Sequence, residues 1–154
     1  MRSAFNLTSS ILLSSLLLGG ALLSCAQHRH PSEPRVPAGK MEQAKSLKAP
    51  FGDTRTASPE IVAEGKKFFE GKGCLHCHGI NGKGDGPAKS MLTLHPPRDF
   101  SDCKWHETRT DGELFWVLDH GVPGTGMVDH VPHQLNEAQA WKVIAYLRTF
   151  CTLR

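Results

Sequence analysis

Residues 74–78 read Cys-Leu-His-Cys-His and place two thiols three positions apart, directly before an imidazole. At this spacing Cys74 and Cys77 can each form a thioether with one vinyl group of a single haem, while His78 binds the iron. Two alternatives are a thioredoxin-like redox pair, which needs a βαβ context, and a zinc knuckle, which needs two further histidines. No strand-like run precedes Cys74, so the motif predicts one covalently bound haem c.

The iron of such a haem has a sixth position on the face opposite His78. Four methionines are present, and Met127 is the best placed, in the glycine-rich stretch 121–127. Such a loop can present a thioether without strain in the neighbouring backbone. Three histidines are rival ligands, with His130 the foremost: His120, His130 and His133. A Met127 that only packs in the core is the remaining alternative.

Three helices are predicted to position these residues. The first opens at Ser58, a good capping residue followed by proline, and ends near Gly71. The other two begin at capping boxes, in which each cap is paired with a residue three positions on. These boxes are Thr110 with Glu113 and Asn136 with Gln139. No stretch shows the sustained alternation of a strand. We therefore expect an all-α domain over residues 58–154, with about three to five helices around the haem.

The N-terminus is predicted to be a signal peptide over residues 1–24. Arg2 supplies a positive charge, and residues 11–23 form an apolar run of signal-peptide length, short for a membrane span. Cys25 falls where this run ends, in a context similar to the lipobox of bacterial lipoproteins. We expect Cys25 to be lipidated and the domain to be exported, anchored to a membrane of the bacterial cell envelope and facing the periplasm or extracytoplasmic space. An ordinary cleaved signal and an uncleaved anchor are the alternatives.

Residues 25–57 are predicted to be the lipidated cysteine and a flexible basic tether. The stretch is rich in proline and polar residues, and it has too few large apolar side chains to offset the entropy of ordering. Six basic and three acidic residues in 26–57 would draw it toward anionic lipid headgroups. Nucleic acid is not an expected partner, because aromatic residues do not interleave the basic ones. His28 and His30 are interpreted as solvated rather than as metal ligands.

The cysteine count leaves two thiols without an assigned role. Of five cysteines, Cys25 is assigned to lipid and two to haem, which leaves Cys103 and Cys151. Free thiols are uncommon in oxidising compartments, so we expect a Cys103–Cys151 disulfide. Two separate buried cysteines, each behaving as a small hydrophobe, are the alternative.

Residues 58–154 resemble a class I cytochrome c of the monohaem periplasmic type. The resemblance covers nearly the whole predicted domain and includes, in order, Gly65 and Phe69, residues 74–79, 84–87, 96–100, 110–115, 121–127 and 141–148. It implies the cytochrome c fold, one haem c, contact between the first and last helices, and Met127 as the distal ligand. One departure is that Met127 is not followed by proline and an aromatic residue. His130 and His133 lie there instead.

The resemblance also implies a role for one backbone carbonyl near the haem, and the chemistry of two side chains makes them further candidates for contacts with its propionates. A backbone carbonyl near Pro87 would orient His78, with Pro96 as an alternative. Arg98 could pair with a haem propionate, or be a surface arginine. Trp105 could donate its indole N–H to a propionate, or pack in the core.

These features together predict a one-electron carrier rather than an enzyme. The expected partners are a redox donor and acceptor of a respiratory chain and, through the N-terminal lipid, the membrane. No small-molecule substrate is expected. The alternatives are a haem subunit of a larger oxidoreductase complex, a haem enzyme, and a gas or redox sensor with a labile sixth ligand.

Overall fold

The computed structural model describes residues 33–92 and 95–151. Within these residues the chain forms helices, turns and loops, without strands. The helices are α1 (Met41–Ser46), α2 (Pro59–Gly71), α3 (Cys74–His78), α4 (Cys103–Glu107), α5 (Asp111–His120) and α6 (Glu137–Arg148), with 3-10 turns at Ala38–Lys40, Thr54–Thr56 and Pro87–Met91. The all-α prediction is confirmed. The described part holds six α-helices because α1, the haem motif itself and residues 103–107 also wind into short ones. The predicted signal peptide and Cys25 lie outside the described residues.

The three long helices begin where the capping signals predicted. Ser58 accepts a hydrogen bond from the backbone of Ile61 at the start of α2, at 3.4 Å. The capping boxes of α5 and α6 are both complete, with side chain and backbone bonded in each direction. Each cap satisfies backbone donors that the first helical turn leaves unpaired.

The first and last long helices cross at a position without a side chain. A Cβ on Gly65 of α2 would lie 1.9 Å from the carbonyl oxygen of Lys142 on α6, so only glycine permits this approach. Beside the crossing, the rings of Phe69 and Tyr146 meet edge to face, with centroids 5.4 Å apart. The predicted contact between these helices is confirmed, and its aromatic residues belong to the main hydrophobic core.

The segment before α2 differs from the flexible tether expected over residues 26–57. From residue 33 onward it is folded against the domain: Val36 and Ala44 are buried in a cluster with Trp116 of α5. The backbones are close enough that a Cβ on Gly112 would lie 2.0 Å from the carbonyl oxygen of Ala44. The composition wrongly predicted a flexible segment because it records only large apolar side chains. Here small residues such as Ala44 allow the segment's backbone to pack closely on α5.

Polar groups fix the end of this segment to α4 and α5. The backbone N–H of Thr54 donates to Asp111 at 3.2 Å, and the guanidinium of Arg55 donates to the carbonyl of His106 at 2.9 Å. Asp111 also accepts from the buried side chain of Arg148, at 2.6 Å and 2.9 Å. The N-terminal segment therefore shares one ionic network with the last helix.

The structure joins Cys103 and Cys151 in a disulfide, with Cα atoms 5.2 Å apart. The bond connects the start of α4 to the residues after α6. Among residues 33–92 and 95–151, no helix is both long and apolar enough to span a bilayer.

Candidate haem site

One cavity of about 320 Å³ collects most of the side chains that the sequence analysis selected. Its lining includes Cys74, Cys77 and His78 of α3, together with Arg98, Trp105 and Met127. These residues come from four separate stretches of the chain. The remaining wall is largely apolar and is supplied by α5 and α6 among others, which suits the body of a macrocycle with polar groups at its edge.

The two motif cysteines lie in a setting unlike that of a redox thiol pair. Burial raises the pKa of Cys74 to about 11, whereas reactive C-x-x-C motifs have cysteines with a lowered pKa. Both thiols are half-buried and unbonded to one another. Within the described residues, no three side chains of the metal-binding types converge on one point, so these do not offer the four ligands of a zinc knuckle.

His78 is held by two contacts from a later part of the chain. Its Nδ1–H donates to the backbone carbonyl of Arg98 at 3.2 Å, which leaves Nε2 as the nitrogen with a free lone pair. Its ring stacks on Phe100, with centroids 4.5 Å apart. Burial lowers the pKa of His78 to about 4, so the imidazole is neutral and able to bind a metal at neutral pH.

The carbonyl that orients His78 therefore belongs to Arg98 and not to the region of Pro87. Pro87 instead opens a 3-10 turn, and the N–H of the preceding Gly86 donates to the carbonyl of Cys77 at 3.2 Å. Gly86 and Pro87 thus pack on the backbone of α3 rather than on the imidazole. Residues 96–98 return to the site and supply the acceptor.

Met127 lies on a loop that is held closed by its own hydrogen bonds. The N–H of Val122 donates to the carbonyl of Met127 at 2.7 Å, and the N–H of Met127 donates to the hydroxyl of Thr125 at 3.1 Å. Gly121, with φ of 65°, begins this loop at the end of α5. These bonds fix the backbone of Met127, whose side chain is half-buried and lines the cavity.

The rival histidines occupy different surroundings. His130 lines the cavity, and its Nδ1–H donates to Gln134 at 3.0 Å. His120 stacks on Trp116 with centroids 3.8 Å apart, and the exposed His133 pairs with Asp129 at 3.6 Å. Of these three only His130 belongs to the cavity lining. The structure adds His95, which sequence reasoning passed over although it directly precedes the Pro-Pro-Arg element.

Arg98 and Trp105 contact each other at the cavity. The guanidinium carbon of Arg98 lies 5.6 Å from the centroid of the Trp105 ring, a cation–π distance. Trp105 is buried, so it packs in the core and also lines the cavity. A second arginine of the lining, Arg35, was assigned to the tether in the sequence analysis. No local signal could have identified it, because its place depends on how residues 33–57 fold back.

A helical domain in which two motif thiols and a neutral imidazole line an apolar cavity defines a haem-binding protein of the c type. The chain belongs to the cytochrome c family, whose family model matches residues 62–150. Members of this family transfer electrons through a covalently bound haem c. The donor set of the cavity fits that cofactor, with Cys74 and Cys77 suited to its attachment.

Several solved structures are similar to this chain, including the following two. One is a chain of the Kuenenia stuttgartiensis reducing HAO-like protein complex Kustc0457/Kustc0458, with 27% identity over 62% of this chain and a TM-score of 0.55. This chain spans 46% of the length of that one. The other is the KustC0563 c-type cytochrome, at 20% identity over 57% of this chain and 98% of that chain, with a TM-score of 0.49. Among curated proteins nothing matches.

Proposed function

We propose that this chain is an exported, membrane-tethered one-electron carrier. In this proposal His78 and Met127 would bind the haem iron, Cys74 and Cys77 would form the thioethers, and the protein would exchange electrons with other redox proteins. The observation that carries the proposal is that a neutral imidazole and a thioether, from elements far apart in sequence, line one cavity with the two motif thiols. When bound, haem c with histidine and methionine ligands cycles between its ferric and ferrous states at a raised potential.

The chain's own residues would set the conditions for this transfer. The carbonyl of Arg98 holds the tautomer of His78, and the stacked Phe100 limits rotation of its ring. The hydrogen-bonded loop that begins at Gly121 would restrict movement of Met127 when the redox state of the haem changes. Little rearrangement is then needed when an electron arrives, which favours a carrier over a catalyst.

Lipidation of Cys25 would hold the domain close to the membrane. Only eight peptide units separate Cys25 from Glu33, the first described residue. At about 3.3–3.6 Å per residue, a fully extended link would span at most about 29 Å. The carbonyl of Glu33 accepts from Arg98 at 3.0 Å, so the link would leave the domain beside the haem cavity. Membrane-bound partners would thus meet this side of the domain at a raised effective concentration.

Absorption spectra of the oxidised and reduced protein test the ligand assignment. We expect low-spin haem with the weak sulfur-to-iron charge-transfer band in the wild type, and loss of that band in Met127→Ala. Met91→Ala is the matched control, since Met91 is 78% exposed and stands outside the cavity lining. His130→Gln tests the rival ligand, and this variant should keep the charge-transfer band if Met127 binds the iron. A high-spin ferrous protein that binds CO rapidly would favour an enzyme or a sensor instead.

Membrane attachment is tested separately. We expect the wild type to partition into detergent and Cys25→Ser to remain in the aqueous phase. Equal aqueous partitioning of both proteins would contradict lipid anchoring without affecting the ligand assignment.

A fixed subunit of a larger oxidoreductase complex is the second candidate. It is favoured by the similarity to a chain of the reducing HAO-like protein complex of Kuenenia stuttgartiensis. Purification from native membranes under mild conditions distinguishes the two. A carrier would elute alone, whereas a subunit would elute with constant amounts of other chains.

A further inference from the structure

Two arginines line the haem cavity, and one of them comes from the N-terminal segment. Arg35 and Arg98 both line the cavity, and both are half-buried. Burial, followed by the nearby positive charges of Arg35 and Arg109, lowers the pKa of Arg98 to about 10. Both side chains nevertheless remain charged at neutral pH. The charge of Arg35 acts on Arg98, which places the two side chains in the same part of the cavity wall.

Arg35 is held at this position by the residues on each side of it. Two positions before it, the carbonyl of Glu33 accepts from Nη2 of Arg98 at 3.0 Å. One position after it, Val36 is 5% exposed and packs with Ala44 and Trp116. The backbone of Arg35 is therefore fixed between a hydrogen bond to the cavity rim and a small apolar cluster on α5.

The described acid that acts on Arg98 is a single carboxylate. The charge of Asp102 raises the pKa of Arg98. The carboxylate of Asp102 also caps α4, because it accepts a hydrogen bond from the backbone N–H of Trp105 at 3.2 Å. Other groups of the cavity lining that can carry charge are basic: Lys72, His95 and His130. Arg35 and Arg98 thus lie among other basic groups on the wall of the cavity where the haem fits.

We infer that Arg35 binds a propionate carboxylate of the haem, together with Arg98, so that the N-terminal segment forms one wall of the haem cleft. A planar guanidinium fork matches a carboxylate and is weakly hydrated, which suits a partly buried pair. This role rests on the covalent haem and not on the identity of the electron partners. It therefore stands or falls separately from the carrier function and from lipid anchoring.

The experiment compares the holoprotein with Arg35→Gln and with Lys40→Gln as the matched control. Lys40 lies in the same segment and is exposed, outside the cavity lining, so both variants lose one positive charge. The deciding readout is the propionate bending band in the resonance Raman spectrum. The second is the ratio of ferrous to ferric protein at a fixed solution potential. Arg35→Met keeps the apolar stem and repeats the test if the glutamine variant does not fold.

We expect both Arg35 variants to shift the propionate band and Lys40→Gln to leave it unchanged. The ferrous-to-ferric ratio should fall by about two- to tenfold, because a cation near the haem disfavours the more positive ferric state. An unchanged band in both Arg35 variants overturns the inference. A lower ratio with an unchanged band also overturns it, since Arg35 would then act only as a distant charge.

Discussion

The imidazole of His78 and the ring of Phe100 lie stacked, with centroids 4.5 Å apart and planes inclined by 22°. Phe100 is itself fixed on its other sides. Its ring meets Trp105 at 5.5 Å, and its carbonyl accepts from Nε2 of His106 at 2.6 Å. The ring of the proposed iron ligand is thus positioned by a residue that belongs to the α4 region, 22 positions later in the sequence.

Replacing Phe100 by leucine should weaken both the core and the support of His78. Phe100 is 7% exposed, and the loss of its ring is expected to lower the free energy of unfolding by about 1–3 kcal/mol. Denaturant unfolding of the ferric protein measures this. Phe68→Leu is the control, because in the described structure Phe68 makes no ring contact with His78. Only Phe100→Leu should also alter the haem absorption spectrum, and an unaltered spectrum would contradict the supporting role.

Alanine at Gly65 and at Gly71 should have opposite effects, although both positions lie on α2. A Cβ at Gly65 would meet the Lys142 carbonyl at 1.9 Å, whereas a Cβ at Gly71 meets nothing within 4 Å. Gly65→Ala is expected to destabilise the fold by about 1–3 kcal/mol through overpacking. Gly71→Ala should leave stability unchanged or raise it by up to about 1 kcal/mol, through helix propensity. Thermal unfolding of the two variants checks the pair, and similar transition temperatures would contradict the close crossing of α2 and α6.

Stability should fall as pH drops below about 6.5, in part because of His106. Its Nδ1 accepts from Arg148 at 3.1 Å, and burial together with the charge of Arg148 lowers the pKa of His106. In the unfolded chain the histidine has an ordinary pKa near 6.5 and binds a proton below that pH, whereas in the native state His106 stays neutral to a lower pH. The contribution of His106 is therefore complete above about pH 6.5 and is lost toward its lower native pKa, at no more than about 1.4 kcal/mol per pH unit.

Denaturant unfolding of wild type and His106→Gln between about pH 7 and pH 5 isolates this contribution. The variant should be less stable at neutral pH and should show a shallower decline on acidification. Parallel declines in the two proteins would contradict the assignment of the slope to His106.

Removal of the Cys103–Cys151 bond should destabilise the protein substantially. The cysteines are 48 residues apart, and closing a loop of this length in the unfolded chain corresponds to about 4 kcal/mol. Unfolding of the double serine variant measures the loss. Thiol titration of the unfolded, unreduced mature protein should find no reactive thiol, and reduction should expose two. Two thiols before reduction would contradict the bond.

The sequence by itself determined the chemistry and the long helices. Residues 74–78 indicate haem attachment by themselves, because the attachment of one haem needs only this local spacing of two cysteines and a histidine. The caps at Ser58, Thr110 and Asn136 likewise act on backbone groups within three residues. Each of these signals depends only on residues within a few positions of one another. The helix starts and the cofactor could therefore be predicted without a structure.

Only the tertiary structure decided which distant groups meet at the cavity. The carbonyl facing His78 proved to be that of Arg98 because residues 96–98 return to α3, and a carbonyl has no sequence signature. Arg35 reached the same cavity because the segment before α2 folds onto α5, against the composition that predicted a tether. Small residues such as Ala44 and Gly112 made that contact by close backbone approach, which hydrophobic patterns do not record.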